Sequence, residues 1–313
     1  MTIAPIKPSM ALYIKLGRGG RWESDCIKRD QTLRLGYREV SHDLCLQGRW
    51  DKVREELLKT LRKSPGAATR DTYQIRLFYE SDESVLWITF FGDRLYWCFS
   101  KPEVALLPDK SKTRPAIGMW SCEDIEGRSL QKSQLSGRLL SMQGFQGTIC
   151  SVKESEYLVQ KINGHIPEEV EEAQVVLSEL ERKIETIIQS LHWKDFEVLI
   201  DLIFRQAGWQ RVSELGETLK TLDLDLVSPI TSERYGVQVK SRAGLAEFED
   251  YQQRFADMQG YTRLYFVVHT PSRDLEDLAQ SKIPKDIELW LPQDIAHRAV
   301  MYGLTDWIIT KAS

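Results

Sequence analysis

The sequence predicts an α+β chain of two domains: a β-rich barrel in front and an α/β core with a mixed sheet behind, joined by a long amphipathic helix. Three observations carry that reading. Between residues 10 and 150 run short segments crowded with aromatic and β-branched residues, ALYIKL, TLRLGY, YQIRLFY, SVLWITFF, LYWCFS and GTICSV, spaced by turn residues. After Ile162 the composition turns abruptly acidic and helix-forming. From residue 193 onward helical and strand patterns alternate, the order that builds an α/β layer. A chain of 313 residues has material enough for two cores.

The front domain is expected over residues 1–155, each of its apolar segments a strand. A helix, WDKVREELLKTLRKS, is expected between the second and third of them, ended by Pro65-Gly66, and a second short helix after Ser121. The connecting helix is expected over 164–192. Pro167 stands near its start with acidic residues in the first turn, and Val176, Leu180, Ile184, Ile187 and Leu191 form a stripe at three- and four-residue steps. It is expected to pack within the chain, with pairing to a second copy as the alternative. The back domain, 193–313, opens with a helix in which Phe196, Leu199, Ile200 and Ile203 share a face and Gly208 is the stop. Two strands follow around DLDLV and GVQVK, joined by a turn with Ser228, Pro229 and Ser232. Then come the helix EFEDYQQRFADMQG, the strand RLYFVVHT, another helix and the strand IELWLP.

Composition narrows the class. No run of eighteen apolar residues occurs and MTIAPIKPSM lacks the apolar block of a signal peptide, so a cytoplasmic protein without a membrane span is expected. The five cysteines are scattered without C-x-x-C pairing, which argues for reduced structural thiols over zinc or disulfides. The net charge of −4 hides an asymmetry: residues 1–150 hold 24 Lys and Arg against 18 Asp and Glu, and residues 151–313 hold 18 against 28. A basic front suits contact with phosphate; an acidic back includes carboxylates that a metal could neutralise.

The candidate chemistry lies in residues 223–240. Strand alternation puts Gln238 and Lys240 on one face, with Val237 and Val239 on the other. Asp225, in the neighbouring apolar strand, can join them beside the strand pair. A carboxylate, an amide oxygen and an ammonium can hold a hard divalent cation and place a lysine near an attacking water. Phosphodiester hydrolysis is the chemistry that most needs that set. Glu197, early in the preceding helix, is a further acidic candidate.

The run FE…LI…LIF…GW, then DLDLV, then GVQVKS resembles the catalytic core of the Mrr-type restriction endonucleases, in the Q-x-K branch of the PD-(D/E)XK superfamily, over about residues 193–300. The resemblance implies a restriction-endonuclease-like fold and Mg²⁺ as cofactor, with Mn²⁺ as a substitute. It implies Asp225 as metal-binding aspartate, Gln238 in place of the usual acidic ligand, Lys240 as catalytic lysine and Glu197 as the helical glutamate. The family's glycine-rich lead-in is replaced here by KTLDLD, so Asp223, two residues from Asp225 on the same strand face, can share or replace it as ligand.

What the front domain would recognise rests on thinner signals. Trp22, Trp50, Trp87, Tyr96, Trp97 and Trp120 are concentrated there, and Tyr96 and Trp97 must face opposite ways. Most of such a set fills a core. Trp22, Trp87, Tyr96 and Trp97 are nonetheless the candidates for stacking a base. Arg18 and Arg21, flanking GRGG, are the candidates for phosphate contacts; the glycine run lacks the spacing of a P-loop. YIKLGRGGRWESDCI followed by LRLGY resembles the opening of PUA-like domains, which implies a PUA-like barrel. The combined expectation is a Mg-dependent restriction or defence endonuclease that reads DNA, a modified base included, through its front domain. One site per chain implies a homodimer for double-strand cleavage. The alternatives are a nuclease effector switched on by a nucleotide signal and a catalytically inactive nucleic-acid-binding protein.

Overall fold

A computed structural model of the protein describes residues 4–60, 64–212, 222–278 and 282–313, and the chain divides into two compact units, Met1–Pro167 and Glu168–Ser313. The first boundary lies beyond the expected 155, because a helix at Ser155–Ile162 buries Leu158 and Ile162 among Ala11, Tyr13 and Leu86 of the first unit.

The first unit contains β1 (Met10–Ile14), β2 (Thr32–Leu35), α1 (His42–Leu46), α2 (Trp50–Thr60), α3 (Pro65–Glu80), β3 (Val85–Phe91), β4 (Arg94–Ser100), β5 (Ala105–Leu106), β6 (Lys112–Ser121), α4 (Gly137–Leu140), β7 (Ile149–Ser151) and α5 (Ser155–Ile162). Its sheet runs β2-β6-β4-β3-β1-β7, with β5 beside β6. Among the described residues no pair joins β2 to β7, so the expected barrel is an open mixed sheet. The reason is the parallel pairing of β1 with β3, Met10 opposite Val85, which demands a long crossover that the three helices α1 to α3 supply. Both sheet faces are covered. Leu12, Ile14 and Trp87 pack with Val53, Ile75 and Phe78 of α2 and α3, while Ala11, Leu86 and Ile88 pack with Leu139 and α5. Burial on both faces accounts for the nearly continuous apolar run of β3, interrupted only by the buried Thr89.

Two of the expected elements in this unit are overturned as well. YQIRLFY is helical, not a strand: Ser64 caps α3 by accepting from the Ala67 N–H, Pro65 occupies its first turn, and Ala68, Thr72, Ile75 and Phe78 bury one helical face. The stretch after Ser121 makes a small β-bridge between Glu123 and Ser129 where a helix was expected. The strand β6 escaped the sequence reading because its inward residues are cations. Lys112 and Arg114 are fully buried. Lys112 donates to the carbonyls of Tyr37 and Val40, and Arg114 to those of Phe78, Ser81 and Lys101. Burial draws the Arg114 guanidinium down to about 10, so it remains a cation near neutrality.

The second unit contains α6 (Glu168–Ser190), α7 (Trp193–Gln206), β8 (Gln210–Arg211), β9 (Leu224–Val227), β10 (Arg234–Ala243), α8 (Leu245–Ala256), β11 (Arg263–Pro271), α9 (Arg273–Glu276), β12 (Ile287–Trp290), α10 (Pro292–Met301) and α11 (Thr305–Ala312). Its mixed sheet has the order β12-β11-β10-β9-β8; β10, β11 and β12 are parallel, and β9 runs antiparallel to both β8 and β10. On one face Val237, Val239 and Val267 pack with Ile184 and Ile188 of α6, Phe196 to Phe204 of α7, and Ile295 and Ala299 of α10. On the other, Leu264, Phe266 and Val268 pack with Phe248 and Phe255 of α8. The helix expected as a connector is thus anchored by its C-terminal half in the second unit. No helix among the described residues is long and apolar enough to cross a membrane.

Candidate active site

Pairing of β9 with β10 places Gly236 opposite Asp225 and Val237 opposite Leu224. One step further, the Asp223 N–H donates to the Val237 carbonyl, which brings Asp223 beside Gln238. The Asp223 carboxylate accepts from the Gln238 side-chain amide and from the Val239 N–H at 2.7 Å. Asp225 lies on the same face but is turned to Arg234 at the start of β10, whose guanidinium grips it through both Nε and Nη2. The structure therefore gathers Asp223 with Gln238, and engages Asp225, the first sequence candidate, in an ion pair. Of the two carboxylates left open by the sequence, Asp223 is the one beside Gln238.

Burial pushes the Asp223 carboxyl above its ordinary value, against the pull of the Val239 N–H, Lys240 and Gln238. Glu197, early in α7, is raised too, first by burial and next by the negative charge of Asp223. The two carboxylates thus lie within electrostatic reach of each other. Lys240 reaches α8, where its Nζ lies 2.9 Å from Glu247 and 5.1 Å from the centre of the Tyr251 ring. Burial pulls its ammonium down, but the bonds to Glu247 and Tyr251 outweigh it and hold Lys240 above its ordinary range. Glu247 and Tyr251 were missed in the sequence; their four-residue spacing in the helix directly after the lysine strand is the signal that could have found them.

Among the described residues no group of three or more His, Cys, Asp or Glu side chains gathers to hold a metal. The donors at this site are two carboxylates and an amide, Asp223, Glu197 and Gln238. Oxygen donors suit a hard cation, and two neighbouring acids both raised by burial constitute excess negative charge that a cation would relieve. The residues fit a divalent ion of the Mg²⁺ type.

The candidate residues of the first unit separate into two groups. Arg18, Arg21 and Trp22 line one cleft of about 450 Å³ with Lys15, Gly17 and Gly36. Gly17 must be glycine there: at φ +85° an added Cβ would come within 2.9 Å of both Arg21 and the Trp22 ring. Trp22 is no open stacking plate. It is 7% exposed, with the guanidinium groups of Arg21 and Arg34 each 4.5 Å from its ring centre. Trp87, Tyr96 and Trp97 lie elsewhere. Trp87 is fully buried against Phe78, Tyr96 packs on Phe91, and Trp97 faces the opposite core and donates to the Glu123 carbonyl. The four aromatic candidates for stacking a base are thus not gathered at one place.

The site thus lies on a mixed sheet flanked by helices, with an acid beside an amide and a lysine two residues further along β10. Residues 188–298 match the family model of the Mrr-type catalytic domain, described as a restriction endonuclease. No curated protein matches the chain by sequence. Among solved structures, the MspJI restriction endonuclease in complex with a 27-mer oligonucleotide matches 78% of this chain and 68% of its own. The identity is 10% and the TM-score 0.24, a likeness too slight to bear on function.

Proposed function

We propose that the protein is a metal-dependent DNA endonuclease of the restriction type, its second unit cutting and its first unit contacting DNA. The observation that carries this is the juxtaposition of Asp223, just before β9, with Gln238 and Lys240 of β10 and Glu197 alongside, within the segment that matches a restriction endonuclease family. Asp223, Glu197 and Gln238 would hold Mg²⁺. Bound there, the ion supplies Lewis acidity toward the scissile phosphate and a lowered pKa for its water. Lys240, kept charged by Glu247 and Tyr251, stabilises the negative charge that grows on phosphorus and orients the water; with its pKa raised it is no proton acceptor at neutral pH. Glu197, whose carboxyl burial and the neighbouring Asp223 raise above its ordinary value, is the better candidate for taking a proton up. In the first unit, Arg18 and Arg21 would bind the phosphate backbone at the rim of their cleft.

The test is cleavage with Mg²⁺ of matched DNAs, unmodified or carrying 5-methylcytosine, 5-hydroxymethylcytosine or N6-methyladenine, beside Lys240→Ala. Cutting that falls about 100-fold or more in the folded variant supports the reading. A Lys240→Ala protein that cuts like wild type overturns it. Silence on every DNA until a cyclic nucleotide is added would turn the first unit from a DNA reader into a ligand switch.

A further inference from the structure

The N-terminal half of α6 carries an exposed apolar stripe that continues the packed one. Val170, Ala173, Leu177, Leu180, Ile184, Ile187 and Leu191 recur at alternating steps of three and four, a strict seven-residue repeat. Its C-terminal members are buried in the second unit, Ile184 at 1% exposure, whereas Val170 is 45% exposed and Leu177 48%. Residues 167–180 are exposed on every side of the helix. So short an unsupported helix is marginal in water, which makes this stripe a surface that a partner helix would complete.

We infer that the partner is the same segment of a second copy, packed antiparallel about a two-fold axis near Val175 and Val176. The pairing is self-complementary. In that register Val170 meets Leu180 of the second copy and Ala173 meets Leu177 of the second copy, each large residue facing a smaller one, and the two-fold repeats both layers. The flanking charges match as well. Glu169 meets Lys183 of the second copy, twice by symmetry, and Lys183 is exposed with no ion pair among the described residues. Glu171, Glu172 and Glu179 stand off the seam. A parallel pair would instead set both acidic first turns, Glu168, Glu169, Glu171 and Glu172, side by side, and would stack Ala173 on Ala173. Charge and side-chain size both select the antiparallel arrangement. A two-fold axis makes the contact isologous and closed, a dimer and not a filament. This inference stands on α6 alone, whether or not the second unit cuts DNA.

Sedimentation equilibrium of the full chain over a wide concentration range tests it. Wild type is expected to dimerise, Leu177→Glu to weaken the dimer by about 100-fold or more, and Glu169→Lys or Lys183→Glu alone to weaken it several-fold. Glu169→Lys combined with Lys183→Glu is expected to restore it. These two residues are exposed, so the charge exchange remains decisive even if Leu177→Glu fails to fold. A wild type monomeric at all concentrations overturns the inference, as does a dimer in which the combined exchange does not restore what the single ones lose.

Discussion

Replacing Asp223 and Asp225 one at a time by asparagine separates the ligand from its neighbour, because the two substitutions are equal in size and sit on one strand face in different company. Asp225 belongs to an ion pair with Arg234 that is partly open to water, the two side chains 19% and 39% exposed. Losing such a pair costs about 1 kcal/mol or less. Asp225→Asn should therefore lower the unfolding midpoint slightly and cost cleavage no more than the roughly 10- to 100-fold seen for residues that do not themselves touch the metal. Burial disfavours the Asp223 carboxylate, and its pKa is raised despite the hydrogen bonds it accepts. Asparagine keeps an acceptor for the Val239 N–H and removes the unfavourable charge, so stability should be unchanged or higher. Cleavage should nevertheless fall by more than the roughly 100-fold typical of residues that only support a metal ligand. The assay is single-turnover cleavage of a plasmid across a Mg²⁺ titration, paired with thermal unfolding. An inactive Asp225→Asn beside an active Asp223→Asn would refute the reasoning and return the ligand role to Asp225.

Three further outcomes follow from the same structure. Mg²⁺ should raise the melting temperature of wild type by a few degrees, since a cation relieves the repulsion between Asp223 and Glu197, and should raise that of Asp223→Asn less; differential scanning fluorimetry reads both. Arg114→Met should cost about 3–5 kcal/mol in urea unfolding, because it strands the buried carbonyls of Phe78, Ser81 and Lys101. His269 is buried with its ring edge on Phe196, and burial lowers its pKa below the ordinary 6.5. Its contribution to stability is complete above pH 6.5 and is lost as pH falls from there toward the depressed folded value, because the unfolded chain takes the proton first. His269→Leu should flatten that part of the pH–stability curve measured by urea unfolding.

The second unit was largely legible because its signals are periodic and local: the helical spacing of Phe196 to Ile203, and the alternation that sets Gln238 and Lys240 together. Which aspartate joins them was not. Asp223 and Asp225 share a face, and only the strand register shows that Arg234 reaches one of them while Gln238 and the Val239 N–H reach the other. In the first unit β-propensity misled. Aromatic and β-branched residues in YQIRLFY read as a strand, yet the Ser64 cap and the spacing from Ala68 to Phe78 specify a helix. Lys112 and Arg114 could not be read as interior residues, because the carbonyls that accept their protons come from segments far along the chain. They also dilute the charge argument, since two of the cations that make the front half basic face inward.

The placement of β1 has a consequence for how the protein is made. Its parallel neighbour begins at Val85 and its antiparallel neighbour, β7, ends at Ser151. A chain leaving the ribosome therefore carries ALYI as an unmatched apolar segment until both have emerged. Contacts so distant in sequence form slowly, and an orphan strand exposed during translation is a handle for chaperones or for wrong neighbours. Expression yield should thus be governed by the first 151 residues, and a solubilising fusion placed ahead of Met10 would shelter the segment that waits longest.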